Sequence, residues 1–291
     1  MKTLMLAAAA LALTAGLASA DTLRMGTEGA YPPYNFVNDR GELDGFEIEL
    51  GNALCAKIEA ECTWVKNDWD SIIPNLTASN YDTIMAGMNI SDERKKAIAF
   101  SDAYTPPPPS AYLALAADAN TEGTVAAQTN TIQANYVAET GATLVEFATG
   151  EETIAAVRNG EADAVFADKD FLAPFEKDSN GELVWVDGKD TVVVGEGIAI
   201  GMRQSDTELK ARFDKAIGEM KADGSLDALI TKWFGEDAKT FAQMAAEGGA
   251  ATPAAAAAET APADAAAAPA EAAPADAAPA DAAAPAAPPS N

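Results

Sequence analysis

The chain has 291 residues, a formal net charge of −26, no histidine and two cysteines. That charge makes nucleic acid and anionic membrane surfaces poor partners. The missing histidine excludes His-based triads and His-ligated metal sites, and two cysteines are too few for a structural zinc cage.

Residues 1–20 have the layout of a secretory signal: Lys2, an apolar run from Leu4 to Leu17, and the small-residue cleavage site Ala18-Ser19-Ala20. No run reaches the ~18 apolar residues of a membrane span. The mature chain is therefore expected outside the cytoplasm.

Thr22 to Met25 reads as a first parallel strand, running into Gly26-Thr27-Glu28-Gly29-Ala30-Tyr31. Open α/β sheets bind ligands at the carboxyl ends of their strands, which places Glu28 and Tyr31 at a cleft edge. A solvated loop acid is the plainer reading of Glu28. Phe46, Leu50, Ala53, Leu54 and Ile58 have helical spacing. Cys55 lies near the end of that helix and Cys62 at the start of the next strand. In an oxidising compartment a lone pair of cysteines forms a disulfide, here a local staple. Trp69 stands before a helix over 71–78, and a core tryptophan is its default role. Thr83-Ile84-Met85 is a short buried strand, Ala86-Gly87 a turn, and Ser91 caps a helix carrying Arg94. A guanidinium at a strand-to-helix turn suits a small carboxylate, while pairing with Asp92 or with solvent is the alternative.

Four prolines, Pro106 to Pro109, then stiffen the chain. Ala111–Ala116, Val125–Ala127, Leu144–Phe147 and Ala162–Asp168 read as strands, with Asp168 at a carboxyl end. Asn130 or Thr131 caps a helix whose first N–H groups, beginning at Ile132, suit an anion; an ordinary cap is the alternative. Residues 191–201 lead to two amphipathic helices, over 206–221 and ending near Trp233-Phe234. From about Glu236 the composition collapses to Ala, Pro and scattered acids, so disorder is expected over 236–291.

The stretches GTEGAYPPYNF (26–36), GELDGFEIELGNALC (41–55), CTWVKNDWDSIIPNL (62–76), the Tyr81–Tyr104 segment, GEADAVFAD (160–168) and the run over 206–235 resemble, in order, bacterial periplasmic solute-binding proteins of polar amino-acid ABC importers. The lysine/arginine/ornithine- and glutamine-binding members are the most similar in kind. The resemblance implies an α/β, two-lobed fold of the type II binding-protein kind, with discontinuous lobes (21–109 plus 200–235, and 110–199) joined by two hinge crossings. It also carries the Cys55–Cys62 disulfide, and implies a monomer without cofactor that hands a free amino acid to a membrane permease. By the same resemblance, Arg94, Thr131 and the Ile132 backbone hold the ligand's α-carboxylate. Asp168 takes the α-ammonium with the Gly87–Asn89 turn, and Glu28, Tyr31 and Trp69 frame the side chain. Asn89 stands where relatives carry Ser or Thr, and Ala86-Gly87 resembles the glutamine binders more than the basic-residue binders. A basic amino acid is the first expectation; glutamine or an opine is the alternative, and a same-fold dehydratase is the rival from another class.

Overall fold

The computed structural model describes residues 21–247. The expected signal segment and the chain beyond 247 lie outside the described residues. In order, the first lobe contributes β1 (Asp21–Thr27), β2 (Ala30–Tyr31), β3 (Asn35–Val37), β4 (Leu43–Asp44), α1 (Phe46–Lys57) and β5 (Ala60–Lys66). A single 3-10 turn at Trp69–Ser71 then leads into α2 (Ile72–Thr77), β6 (Thr83–Ile84), α3 (Asp92–Lys95) and β7 (Ala99–Phe100).

The second lobe holds β8 (Ser110–Ala114), β9 (Thr124–Gln128), α4 (Ile132–Thr140), β10 (Thr143–Phe147), α5 (Gly150–Arg158), β11 (Ala164–Asp168), α6 (Lys169–Asp178) and β12 (Val184–Trp185). The chain returns through β13 (Gly201–Met202), α7 (Thr207–Ala222), α8 (Ser225–Phe234) and α9 (Phe241–Ala246).

Each lobe is built on one mixed sheet. The first runs β5-β1-β6-β13-β7, with β1 parallel to both neighbours and the returning β13 antiparallel to both of its own. The second runs β10-β9-β11-β8-β12, parallel through β9 and antiparallel around β8. This is a two-lobed α/β fold in which the parallel strands β1, β6, β9 and β11 carry the loops that matter for a ligand. Apolar periodicity explains the core. Phe46, Leu50 and Leu54 of α1 and Phe213, Ile217 and Met220 of α7 bury one helical stripe each against the first sheet's Met25 and Met202. Cys55 and Cys62 are disulfide-bonded with their Cα atoms 6.1 Å apart, stapling the end of α1 to β5.

The two crossings run side by side. The Tyr104 N–H donates to the Ile198 carbonyl at 2.8 Å, and the Ile198 N–H donates to Thr105 Oγ1 at 3.2 Å. Ser110 and Val192 exchange backbone bonds of 2.7 and 2.8 Å at the far end. Between them lie Pro106 to Pro109, whose missing N–H groups leave the ladder open. Gly197, at φ 115°, passes so near the first crossing that a Cβ there would sit 2.9 Å from the Thr105 carbonyl oxygen. Only glycine fits that approach.

Three features differ from the sequence expectations. The disorder expected over 236–291 does not hold for 236–247, where a Thr240/Gln243 capping box opens α9 and the Phe241 and Ala242 N–H groups both reach the Asp227 carboxylate at 3.0 Å. Phe241 and Met244 are the last large apolar residues of the sequence, and Phe241 still has a core to pack on. The reading also passed over α6, which contains Pro174, and the small sheet β2-β3-β4. Strands this short carry too few residues for their alternation to show.

Candidate functional site

A cavity of about 290 Å³ lies between the lobes. All nine residues singled out from the sequence line it: Glu28, Tyr31, Trp69, Gly87, Asn89, Arg94, Thr131, Ile132 and Asp168. Ala86, Gln128 and Gln133 complete the lining.

Local folding sets each group. Ser91 caps α3, its Oγ accepting the Arg94 N–H at 3.3 Å, and this turns the Arg94 side chain back over the end of β6. The guanidinium is buried, donating to the Asn89 carbonyl at 2.8 Å and, across the lobes, to the Asn130 carbonyl at 3.0 Å. Its carbon lies 5.1 Å from the Trp69 ring centroid. Lys95, not Arg94, pairs with Asp92. Burial lowers the Arg94 pKa to about 10, with the charges of Asp168 and Glu93 opposing that, so it stays cationic at neutral pH. The Trp69 indole N–H reaches across to the Thr129 carbonyl at 3.0 Å. Trp69 therefore both carries Arg94 on its ring and bolts the lobes.

Asp168 ends β11 and is buried. Its carboxylate accepts from the Tyr31 hydroxyl at 2.8 Å and from Gln133 Nε2 at 2.9 Å. Burial pushes its pKa up to about 7, against the Tyr31 bond and Arg94, which pull it down. Glu28 follows β1 and accepts from Gln128 Nε2 at 2.7 Å; burial lifts it likewise to about 7. Tyr31 stacks on Phe171 with centroids 4.3 Å apart.

Gly87 takes φ 63°, the left-handed region, and gives its N–H to the buried Glu47 at 2.7 Å. Asn89 Oδ1 is buried at the cavity wall and accepts no hydrogen bond from a described residue. That oxygen packs against Gly195, where an added Cβ would come within 2.3 Å of it. The Thr131 hydroxyl is fully engaged as a cap, accepting the Ala134 N–H at 3.1 Å and donating to the Gln128 carbonyl at 2.7 Å. The cap opens α4, whose Ile132 and Gln133 line the cavity with it.

Gln128 and Gln133 escaped the sequence reading. Gln128 stands at the carboxyl end of β9, as Asp168 does for β11, and Gln133 lies in the first turn of α4. The strand-end rule that located Asp168 was the signal for Gln128.

Residues 23–236 match the family of bacterial extracellular solute-binding proteins, family 3. The lysine/arginine/ornithine-binding periplasmic protein of Escherichia coli is 32% identical over 77% of this chain and 95% of its own. A periplasmic His/Glu/Gln/Arg/opine family-binding protein from Silicibacter pomeroyi, in complex with lysine, is 62% identical over 75% of this chain and all of its own, with a TM-score of 0.74. An ancestral arginine-binding protein bound to glutamine is 31% identical over 75% of this chain and 100% of its own, with a TM-score of 0.68. The chain belongs to the bacterial extracellular solute-binding proteins of family 3.

Proposed function

We propose that this protein is a periplasmic receptor that binds a free basic L-amino acid of the lysine, arginine or ornithine type between its lobes and delivers it to an ABC permease. The observation that carries this reading is the charge of the cavity. One buried cation, Arg94, and two buried acids, Glu28 and Asp168, line it. A basic amino acid carries one carboxylate and two cationic groups, so every charge on either side finds an opposite partner. Buried charges are costly unless paired or hydrogen-bonded, and such a ligand supplies the pairing.

In this reading Arg94 and the N–H of Ile132, presented by the Thr131 cap, hold the α-carboxylate through charge-assisted bonds. Asp168 takes the α-ammonium, helped by the Gly87–Asn89 turn. Glu28 receives the distal cation, with Tyr31 and Trp69 as aromatic walls. The bonds between the lobes describe the closed state of a hinge that traps its ligand.

Glutamine is the second reading. A Glu28 whose pKa is near 7 can carry a proton and face a neutral amide, and an ancestral arginine binder holds glutamine. Carboxyls titrating there also suit general acid work, but each here already accepts from a glutamine amide, which fits the holding of cations.

The test is thermal melting of protein unfolded, dialysed and refolded, against lysine, arginine, ornithine, histidine, glutamine, glutamate and a neutral aliphatic amino acid. A ligand at a hundredfold over its dissociation constant adds about 2.7 kcal/mol of stability. Shifts with the basic members support the reading. Shifts with glutamine or glutamate alone overturn the ligand class, and conversion of any ligand, read by mass spectrometry, overturns the receptor.

A further inference from the structure

Glu47 is not among the residues lining the cavity, yet it is fully buried, and among the described residues no cation pairs with it. It sits in the first turn of α1, where the helix dipole favours an anion. Three donors from three parts of the chain converge on its carboxylate. The Gly87 N–H reaches Oε1 at 2.7 Å, the Tyr104 hydroxyl makes a short bond to the same oxygen, and Asn35 Nδ2 reaches Oε2 at 2.7 Å.

Each donor leads to a working part. Asn35 uses its Oδ1 to accept the Gly29 N–H at 2.7 Å, which fixes the loop carrying Glu28 and Tyr31. Gly87 is itself a wall of the cavity. Tyr104 opens the first crossing, and its N–H holds the Ile198 carbonyl of the second. Two cavity loops and both crossings thus meet on one carboxylate.

A buried carboxyl without a cation is costly to a core, and a leucine or methionine would fill the same space more cheaply. Burial raises its pKa, against which the three donors work. Its chemistry is explained by what it joins. Resting on the ligand reading above, we infer that Glu47 is a positioning residue: it sets the Glu28 loop and the Gly87 turn in register with the hinge, so that closing the lobes and completing the first lobe's half of the site are one event.

Glu47→Gln keeps the size but replaces one acceptor oxygen with a donor. Whichever way the amide turns, it faces either the Gly87 N–H or Asn35 Nδ2, and Asn35 cannot rotate without releasing Gly29. Tyr104→Phe removes one hydroxyl from a buried ring and cuts only the limb to the hinge. It carries the test should Glu47→Gln fail to fold.

The experiment measures, for wild type and both variants, lysine affinity by calorimetry, ligand-free melting, and small-angle scattering with and without saturating lysine. The expected result is a loss of lysine affinity of roughly tenfold or more for Glu47→Gln, with a smaller loss for Tyr104→Phe. Both variants also compact less than wild type when lysine is added. Lower melting temperatures with wild-type lysine affinity and wild-type compaction would overturn the inference, since a merely structural carboxylate does that. If wild type itself binds no amino acid, the ligand reading fails separately. Glu47 is then judged on ligand-free scattering, where profiles identical to wild type overturn its link to the hinge and more open ones support it.

Discussion

The Tyr31 hydroxyl donates a 2.8 Å hydrogen bond to Oδ2 of Asp168, joining the loop after β1 in one lobe to the end of β11 in the other. A residue that frames the ligand's side chain thereby also orients the acid assigned to its α-ammonium. The Tyr31 ring is held in turn by stacking on Phe171, which fixes the direction from which the bond arrives. Tyr31→Phe keeps the ring and loses the bond. Hydrogen bonds to charged groups are worth about 1.5–3 kcal/mol, so lysine affinity should fall roughly 10- to 100-fold. Calorimetry reads the loss, and an unchanged affinity would detach Tyr31 from Asp168's function.

Arg94 is held by two carbonyls and the Trp69 ring, and those contacts use its planar fork. Lysine offers a point charge that cannot span both carbonyls and still face a carboxylate. Arg94→Lys should weaken lysine binding by about 100-fold or more while leaving the circular dichroism spectrum intact. Retention of affinity would mean that the α-carboxylate lies elsewhere.

Glu28 and Gln128 decide the side-chain end of the cavity. Glu28→Gln removes one buried negative charge and leaves the Gln128 amide in place. Affinity for lysine and arginine should drop by about 100-fold, while glutamine affinity holds or rises. Competition between lysine and glutamine measures this, and parallel losses for both would show that Glu28 is structural.

Much of this site was legible because strand ends and caps are local features. Ser91 and Thr131 cap where their side chains say they should, and Asp168 closes a run of apolar strand residues. What local pattern could not show is pairing across the lobes. Gln128 meets Glu28 a hundred positions away, and Glu47 gathers Asn35, Gly87 and Tyr104 only once α1 has packed. Local pattern makes Trp69 a core residue, and only the resemblance puts it against the ligand side chain; that Arg94 lies on its ring depends on the fold of the turn after β6. The order of α9 was hidden for another reason, since an alanine-rich stretch gives no apolar stripe apart from Phe241 and Met244.

Asp168 and Glu28 also give the protein a pH response with a definite sign. Burial raises both to about 7 in the closed form, well above the ordinary carboxylate range. The closed, ligand-free form then binds more protons than the open or unfolded chain between about pH 4 and 7, so lowering the pH through that window favours it. A cationic ligand needs the ionised acids and expels those protons. Lysine affinity should therefore rise from about pH 5 to about pH 8, with proton release on binding near neutrality. Titrations in buffers of differing ionisation heat report the release. Affinity that is flat over this range would place the cations away from both acids.

The most direct measurement is a calorimetric titration of the refolded, ligand-free protein with lysine, run beside glutamine under the same conditions. One lysine per chain, bound more tightly than glutamine, is the expected result, because it pairs Arg94, Glu28 and Asp168 at once. Tighter binding of glutamine, or no heat from either, would contradict the matching of charges on which the proposed function rests.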